Sequence, residues 1–304
     1  MDLNKKRIND PAKSPFEKTK PETVMVTGSD GFIGGNLVRH LRSIGKEVIP
    51  IDAKSGTDLP DKKNIENLPD TDFVIHLAGN TYVPSGWADP HSMYDININT
   101  TLNMLEFSRR RKVRKFVYPS TYLYGNPQYV PTDEKHPVCA ANPYTRSKWI
   151  CEEMCKAYSE DYGVPVLILR LFNVYGSGQA DFFLISRVLS QLSLNTITLN
   201  DPNPKRDYLY ISDVVRAFQM SLESSSSNFE IFNIGSGVNY RVTEVVDLIL
   251  KIAEVECDVI YKNEGRKNEV MESLAGISKA KKLLGWEPRI QFEEGLRSMM
   301  ATKK

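Results

Sequence analysis

The sequence is poor in cysteine and has neither a long apolar stretch nor an excess of one charge. Its four cysteines, Cys139, Cys151, Cys155 and Cys257, are too few for a disulfide framework and lack the C-x-x-C spacing of a zinc site or redox pair. The longest apolar stretch, at residues 164–169, ends at Arg170, and the N-terminus has no apolar signal region. We therefore predict a cytoplasmic protein with reduced thiols, no metal site and no membrane span.

Charge is almost balanced, with 39 Lys and Arg against 38 Asp and Glu among 304 residues. This balance excludes a protein-wide basic field, so we expect no nucleic-acid partner. Residues 1–20 hold six Lys or Arg and three acidic residues without apolar periodicity, which predicts a disordered basic tail. The overall composition, 41% hydrophobic and 25% charged, is that of an ordinary globular protein.

Apolar runs that predict strands alternate with segments of helical periodicity from residue 22 onward. We predict strands at 23–27, 46–52, 73–77, 116–118, 166–170 and 230–233, and helices at 36–44, 93–110, 144–162, 182–194, 212–222, 243–253 and 277–284. Residues 224–227, four serines, are predicted to form a surface loop. Such alternation is typical of an α/β fold whose parallel sheet is covered on both faces.

A glycine-rich turn joins the first strand to the first helix. Gly28, Gly31 and Gly34 would let the backbone turn tightly and approach a pyrophosphate at the helix N-terminus. Asp52 ends the second strand, 24 residues after Gly28, where a carboxylate can accept from the adenosine ribose. Because this carboxylate would repel a 2′-phosphate, we predict NAD rather than NADP, although Lys54 adds some compensating charge. The alternative is a tight turn without a ligand.

Tyr144 and Lys148 lie at i, i+4 on one predicted helix face. A free tyrosine titrates near 10, so a basic role near pH 7 needs a neighbouring cation, which Lys148 and an oxidised nicotinamide can supply. Ser120 is expected just after the strand at 116–118, where the carboxyl ends of parallel strands line a ligand crevice. Its hydroxyl could contact the same substrate oxygen that Tyr144 deprotonates.

Ordered motifs along the chain resemble those of the extended short-chain dehydrogenase/reductases, which include nucleotide-sugar epimerases, dehydratases and ketoreductases. The resemblance covers residue 22 to the end. It rests on Thr27-Gly28-x-x-Gly31-Phe-Ile-Gly34, His76-Leu-Ala-Gly79, Ser120 with Tyr124-Gly125, Tyr144-x-x-x-Lys148, Arg170-x-Phe-Asn173-Val-Tyr-Gly176, Arg206-Asp207-Tyr208, Asn233-Ile-Gly-Ser-Gly237 and Lys282-Leu-Leu-Gly-Trp286-Glu-Pro288.

The resemblance implies a role for each matching residue. Ser120 matches the catalytic Ser/Thr, Tyr144 the base, and Lys148 its activator and ribose contact. Cofactor contacts are implied for Gly28, Gly31, Phe32, Ile33, Gly34, Asp52, Asp58, Leu59, Leu77, Ala78, Gly79, Tyr144 and Lys148. Substrate contacts are implied for Thr81, Ser120, Thr121, Asn173, Arg206, Arg266 and Ser273. For the two arginines the alternative is a surface ion pair, and His76 and Asn97 are expected to be packed structural residues.

Two departures narrow the expected reaction. Thr121 and Tyr122 follow Ser120 where dehydratases and decarboxylating relatives carry an acid, so dehydration and decarboxylation are disfavoured. Ser273 matches a position where 4-epimerases carry either a bulky tyrosine or a small residue, and the resemblance implies that a small residue there permits, without requiring, an N-acetyl group at C2 of the sugar. The resemblance therefore implies NAD-dependent hydride transfer at C4 of a nucleotide-diphosphate sugar, foremost by a 4-epimerase of UDP-hexoses or UDP-N-acetylhexosamines. The alternative is an NAD(P)H-dependent 4-keto-6-deoxy-sugar reductase, which residues 266–269 favour; a more remote one is a non-catalytic NAD-sensing regulator.

The implied architecture is a Rossmann-type doubly wound parallel sheet with a smaller α/β C-terminal lobe. We expect the NAD-binding domain at residues 21–172, with 207–235 returning to it, and a nucleotide-sugar-binding lobe at 173–206 and 236–304. Helices 93–110 and 148–162 resemble those that pair relatives into dimers, which implies a homodimer.

Overall fold

The computed structural model describes residues 21–225, 229–265 and 267–301. The predicted tail at 1–20, two serines of the predicted loop, Ser226 and Ser227, and the predicted substrate contact Arg266 lie outside these residues. The strands are β1 (Thr23–Thr27), β2 (Glu47–Ile51), β3 (Phe73–His76), β4 (Lys115–Thr121), β5 (Val166–Leu171), β6 (Asn173–Tyr175), β7 (Thr196–Leu199), β8 (Lys205–Tyr210), β9 (Glu230–Ile234), β10 (Asn239–Arg241) and β11 (Asp258–Tyr261).

The α-helices are α1 (Phe32–Ser43), α2 (Lys62–Glu66), α3 (Val83–Ala88), α4 (Pro90–Arg111), α5 (Pro143–Tyr162), α6 (Leu184–Gln191), α7 (Ile211–Glu223), α8 (Val242–Ala253) and α9 (Phe292–Ala301). Short 3₁₀ turns lie at Ala53–Ser55 and Leu192–Leu194, and a π-helical turn lies at Ala280–Leu284. No helix among the described residues is long and apolar enough to cross a membrane.

Six strands form one parallel sheet in the order β2-β1-β3-β4-β5-β9. The chain runs outward from β1 to β2 and then returns past β1 to β3, so the topological switch point lies between β1 and β3. Ligands of such sheets bind outside the carboxyl ends of the strands at this point. The predicted Rossmann-type α/β fold is confirmed.

Helices cover both faces of this sheet because its strands are apolar on both sides. On one face α1 and α7 pack through residues such as Leu37, Leu41 and Phe218. On the other face α2, α4 and α5 pack against Met25, Phe116 and neighbouring strand residues. The two buried layers fix the positions of α1 and α5, the two helices that carry predicted site residues.

Two small sheets accompany the large one, and β6 of the first begins two residues after the carboxyl end of β5. One has the order β10-β8-β6, and the other pairs β11 with β7. A third apolar core joins β7 and β8 to α6, α8 and α9. Asn173 begins β6 and Arg206 is the second residue of β8, so these strands carry predicted substrate contacts.

The structure corrects the predicted end of the fourth strand. We expected Ser120 just after a strand at 116–118, but β4 continues to Thr121 and Ser120 pairs with Arg170 of β5. The extension follows from this pairing, which continues to Thr121 and Leu171. Ser120 is therefore held by the sheet itself rather than by a loop.

Candidate active site

The glycine turn is shaped by close backbone approaches that only glycine permits. Gly28 has φ +68°, and a Cβ there would lie 2.8 Å from Ala78 N, in the segment that follows β3. A Cβ on Gly34 would lie 2.0 Å from Gly28 O. The first turn of α1 has no side-chain cap at Gly31, so its N–H groups keep their capacity to bind an anion. This cradle fits a pyrophosphate.

Asp52 is tied to the glycine turn by its carboxylate. One oxygen accepts from Asp30 N at 3.0 Å and the other from Lys54 N at 3.0 Å. A carboxylate can accept about four hydrogen bonds, so it retains capacity for ribose hydroxyls. Of the predicted adenine contacts, Asp58 is exposed, whereas the side chain of Leu59 is buried in the core. Phe32 and Ile33 are half-buried in the first turn of α1.

The segment Leu77-Ala78-Gly79 is fixed to the end of β1. Leu77 N donates to Thr27 O at 3.1 Å, and Ala78 N donates to Thr27 Oγ1 at 3.1 Å. His76 is fully buried, with its Nδ1 2.8 Å from the same hydroxyl. Burial lowers the pKa of His76 to about 3, with the charge of Lys148 as a smaller cause. His76 is therefore a neutral packed residue that helps to place this segment.

Asn97 of α4 hydrogen-bonds both the loop after β3 and Ser147 of α5. Asn97 accepts from Asn80 N at 2.7 Å and donates to Asn80 O at 3.0 Å and to Ser147 Oγ at 2.8 Å. Gly79 has φ +154°, and a Cβ there would lie 2.8 Å from Asn97 Oδ1. Asn97 thus links the loop after β3 to the helix that carries Tyr144.

The predicted catalytic residues meet at the end of β4. Lys148 is buried, and its Nζ donates to Pro119 O at 2.9 Å. The Thr121 side chain lies close enough to the Tyr144 hydroxyl to lower its pKa. Ser120 lies between these two contact residues in the chain. The structure therefore brings both members of the Tyr-x-x-x-Lys pair of α5 against the strand residues that flank Ser120.

Ser120 Oγ is buried and has no hydrogen-bond partner among the described residues. Alternation along β4 places it on the same face as Tyr118, which packs in the core beneath α5. A buried hydroxyl without a partner is costly, so a functional ligand is the natural explanation. The orphaned Oγ and the glycine cradle fit a nicotinamide dinucleotide and an oxygenated substrate.

Burial is the main cause of the pKa shifts of Tyr144 and Lys148. Burial raises the pKa of Tyr144 above its ordinary value, and the hydrogen bond with Thr121 partly offsets this. Burial also lowers the pKa of Lys148. The Lys148 ammonium lies 4.5 Å from the centroid of the Tyr118 ring, whose face favours a cation. Sequence reasoning missed Tyr118, although its period-two relation to Ser120 could have indicated it.

Two of the predicted substrate contacts, Asn173 and Ser273, lie next to each other. Asn173 Nδ2 is 3.4 Å from Ser273 Oγ and donates to Asp207 O at 3.2 Å. Arg206 is ion-paired with Glu269, and its Nη1 donates to Lys205 O at 2.9 Å. The side chains of Arg206 and Glu269 are only 12% and 16% exposed, so their pair is more buried than the surface ion pair named as the alternative. Thr81 is exposed just before α3.

The comparisons with known proteins agree with this geometry. The model of a family described as "NAD dependent epimerase/dehydratase family" matches residues 24–235. The crystal structure of the Thermotoga maritima UDP-glucose 4-epimerase with UDP-glucose has a TM-score of 0.87 at 29% identity and covers 92% of this chain and 99% of that one. The Thermus thermophilus UDP-glucose 4-epimerase in complex with NAD has a TM-score of 0.84 at 28% identity, covering 92% and 98%.

A reductase is also among the similar proteins. The GDP-6-deoxy-D-mannose reductase of Pseudomonas aeruginosa is 29% identical over 294 residues, covering 92% of this chain and 96% of the relative. Epimerases and a reductase thus share this framework, and the predicted cofactor, NAD, is confirmed at the level of the family. This chain is an enzyme that belongs to the NAD dependent epimerase/dehydratase family.

Proposed function

We propose that this enzyme is a 4-epimerase of UDP-hexoses or UDP-N-acetylhexosamines that works through a 4-keto sugar. The observation that carries the proposal is the buried, partnerless Ser120 Oγ between the strand residues that contact Lys148 and Tyr144. A site that holds the unpartnered Ser120 hydroxyl, the Tyr144 phenol and the Lys148 ammonium suits proton transfer at a sugar hydroxyl.

Each catalytic residue has a defined task in this proposal. Tyr144 takes the proton from O4 of the sugar and later returns it. Ser120 donates a hydrogen bond to the same oxygen as it becomes a carbonyl. Lys148, one turn further along α5, favours the phenolate over the phenol because an opposite charge nearby stabilises the ionised form. When bound, NAD supplies the acceptor and donor for the C4 hydride.

NAD is favoured over NADP by the position of Asp52. Its carboxylate is held beside the glycine turn by Asp30 N and Lys54 N, so it keeps a fixed negative charge where a 2′-phosphate would lie. Lys54 is exposed, and its charge is free to turn into solvent. We therefore expect tighter binding of NAD than of NADP in a titration of the cofactor-free enzyme.

On the C-terminal side we propose that Arg206 and Asn173 hold the nucleotide diphosphate, with Arg266 as a third contact. A guanidinium can bond two phosphate oxygens at once, so one arginine can anchor the nucleotide while the sugar turns. The segments 173–206 and 236–304 would then form the nucleotide-sugar lobe. Ser273, whose Oγ lies 3.4 Å from Asn173 Nδ2, is the small residue that we assign to the side of the sugar that carries the C2 substituent.

One assay separates the proposal from a 4-keto-sugar reductase, the second candidate favoured by the similarity to the Pseudomonas reductase. Purified enzyme without added cofactor is incubated with UDP-glucose, UDP-galactose and their N-acetyl forms. An epimerase interconverts at least one pair, because the hydride removed from C4 returns to C4. Activity confined to a 4-keto sugar with NAD(P)H would instead establish the reductase. Lack of both reactions, with NAD binding retained, would leave the NAD-sensing regulator.

We also propose a homodimer formed through α4 and α5. These adjacent helices expose large apolar side chains that the described residues leave uncovered, namely Leu102 on α4 and Trp149 and Ile150 on α5. Burying such side chains against a second copy would stabilise the association.

A further inference from the structure

Four buried polar side chains outside the proposed catalytic set form one continuous chain of hydrogen bonds. They are Glu152 on α5, Arg170 on β5, Tyr124 after β4 and Asn233 on β9, and none is more than 4% exposed. The reaction proposed above gives none of them a task. Buried polar networks are costly unless every member is satisfied, so this network calls for a reason.

The first half of the chain ties the catalytic helix to the sheet. Arg170 Nε donates to Glu152 Oε1 at 3.0 Å, and Arg170 Nη2 donates to Glu152 Oε2 at 2.6 Å. Glu152 lies one helical turn after Lys148 and two turns after Tyr144. Arg170 is the cross-strand partner of Ser120, so their side chains share a sheet face. The ion pair therefore fixes α5 directly beside Ser120.

The second half of this hydrogen-bond chain leads from Arg170 through Tyr124 and Asn233 to Thr132. Arg170 Nη1 donates to Tyr124 Oη at 2.9 Å, and the Tyr124 hydroxyl donates to Asn233 Oδ1 at 2.6 Å. Asn233 Nδ2 then donates to Thr132 O at 2.9 Å. Burial is the main cause that raises the pKa of Tyr124 to about 12, so its hydroxyl keeps the proton it donates.

Thr132 connects this chain to residues near the proposed diphosphate site. Thr132 N donates to Leu274 O at 2.8 Å, and Gly276 N donates to Thr132 O at 2.7 Å. Between them, Ala275 N donates to the buried carboxylate of Asp207 at 3.1 Å. Ser273 and Arg206 are the chain neighbours of Leu274 and Asp207, so a chain of direct contacts joins the catalytic helix to the neighbours of two proposed substrate contacts.

We propose that Tyr124 is a positioning residue that, through Arg170 and Asn233, fixes the catalytic helix α5 relative to the segment 273–276, whose Ser273 contacts the proposed diphosphate ligand Asn173. This inference rests on the proposed function. A nucleotide anchored on the C-terminal side presents its sugar to Tyr144 correctly only when these two parts keep one relative position. Small misplacements of reacting groups lower the rate of the chemical step far more than they weaken binding.

The test is Tyr124→Phe, which keeps the ring and removes the hydroxyl that joins Arg170 to Asn233. With the sugar that the wild-type enzyme epimerises, we expect kcat to fall roughly tenfold to a hundredfold while KM changes by less than about twofold. Glu152→Gln is unsuitable because it leaves the Arg170 guanidinium buried without its charge partner.

Tyr129→Phe is the matched control. Tyr129 lies in the same loop and its hydroxyl donates to Asp133 Oδ1 at 2.8 Å, outside the chain of contacts. This control should keep wild-type kcat and KM. Equal kcat for Tyr124→Phe and wild type, an equal loss in the control, or a loss that appears in KM would each overturn the inference.

Amide hydrogen exchange of the full chain separates failure of this inference from failure of the proposed function. If the wild-type enzyme turns over none of the UDP-sugars, the proposed function fails, and the exchange rates alone decide the inference. We expect Tyr124→Phe to speed exchange in both α5 and residues 273–276, and Tyr129→Phe to leave both unchanged. Unchanged exchange in Tyr124→Phe would overturn the inference independently of any activity.

Discussion

Tyr144 occupies an environment that opposes its ionisation in the cofactor-free protein. Burial raises the pKa of its hydroxyl, and the hydrogen bond with Thr121 offsets only part of this effect. A base of this kind becomes effective when positive charge lies close to it, and the proposed function assigns that charge to Lys148, which is buried one turn further along the same helix. We therefore expect ionisation of Tyr144 to depend on the charges that ligands bring.

Replacing Tyr144 by phenylalanine removes the proposed base without changing the shape of the ring. We expect kcat to fall by roughly 10²–10⁴-fold because general acid–base catalysis contributes about that factor. Calorimetric titration with NAD and with UDP should give affinities close to those of the wild type. Full activity in this variant would show that Tyr144 is not the base.

His76 makes stability depend on pH in a defined direction. Its folded-state pKa is lowered to about 3, chiefly by burial, whereas a free histidine titrates near 6.5. Above pH 6.5 both folded and unfolded states hold the neutral ring, and this residue adds no pH dependence. As the pH falls below 6.5 only the unfolded state takes up the proton, so the free energy of unfolding decreases.

The size of this effect can be measured by urea unfolding of the wild type and His76→Asn. Between pH 6.5 and 4.5 the wild type should lose about 2 kcal/mol more than the variant, since the full slope of about 1.4 kcal/mol per pH unit is reached only well below the unfolded-state pKa. His91→Asn, at an exposed position, controls for the loss of one histidine. Parallel pH profiles for the wild type and His76→Asn would contradict the prediction.

At the scale of elements, the turn between β1 and α1 depends on one close approach. A Cβ on Gly34 would lie 2.0 Å from Gly28 O, whereas a Cβ on the next residue, Gly35, would meet no atom nearer than 3.6 Å. Both glycines lie in α1, so their difference isolates the effect of the approach from that of helix propensity.

We therefore predict opposite results for two alanine substitutions. Gly34→Ala should lose NAD binding and lower the melting temperature, because the start of α1 must move away from Gly28. Gly35→Ala should retain NAD affinity and gain up to about 1 kcal/mol of stability from better helix propensity. Calorimetric titration and thermal unfolding measure both, and equal NAD affinity in the two variants would be inconsistent with the cradle described here.

Elements with a strong apolar pattern could be predicted from the sequence, even where they are short. The six strands of the large sheet, including the four-residue β3, are apolar runs, and helices such as α5 are apolar at regular intervals, so their burial is visible in the sequence. The strands β6 and β11 and the short helices α2 and α3 are only partly buried, so their sequences show no such pattern. The sequence analysis did not predict α9, although its buried residues Phe292, Leu296 and Met299 follow helical spacing that could have indicated a helix.

The candidate site divides in the same way. Gly28, Tyr144 and Lys148 belong to contiguous motifs, whose chemistry is visible in the sequence. The contacts of Arg170 with Glu152 and Tyr124 join residues that are distant in the sequence and depend on how β4, β5 and α5 pack. No local pattern contains that information.

At the scale of the whole molecule, the homodimer proposal predicts a mass near twice the 34.5 kDa of one chain. Light scattering after size-exclusion chromatography measures it. Trp149→Glu should shift the mass toward that of one chain, because a charge would be buried in the interface. Leu194→Glu, at a residue that is 65% exposed away from α4 and α5, should leave the mass unchanged. A single-chain mass for the wild type would rule out the dimer.

The most direct test of the central claim follows the hydrogen at C4 of the sugar. Enzyme without added cofactor is incubated with UDP-[4-²H]glucose and, separately, with UDP-N-acetylglucosamine deuterated at C4, and the products are read by proton NMR. We predict a product of inverted configuration at C4 that retains the deuterium, since hydride leaves and returns within one site. Inversion with loss of deuterium to solvent, or no inversion of either sugar by an enzyme that reduces 4-keto sugars with NAD(P)H, would contradict the account.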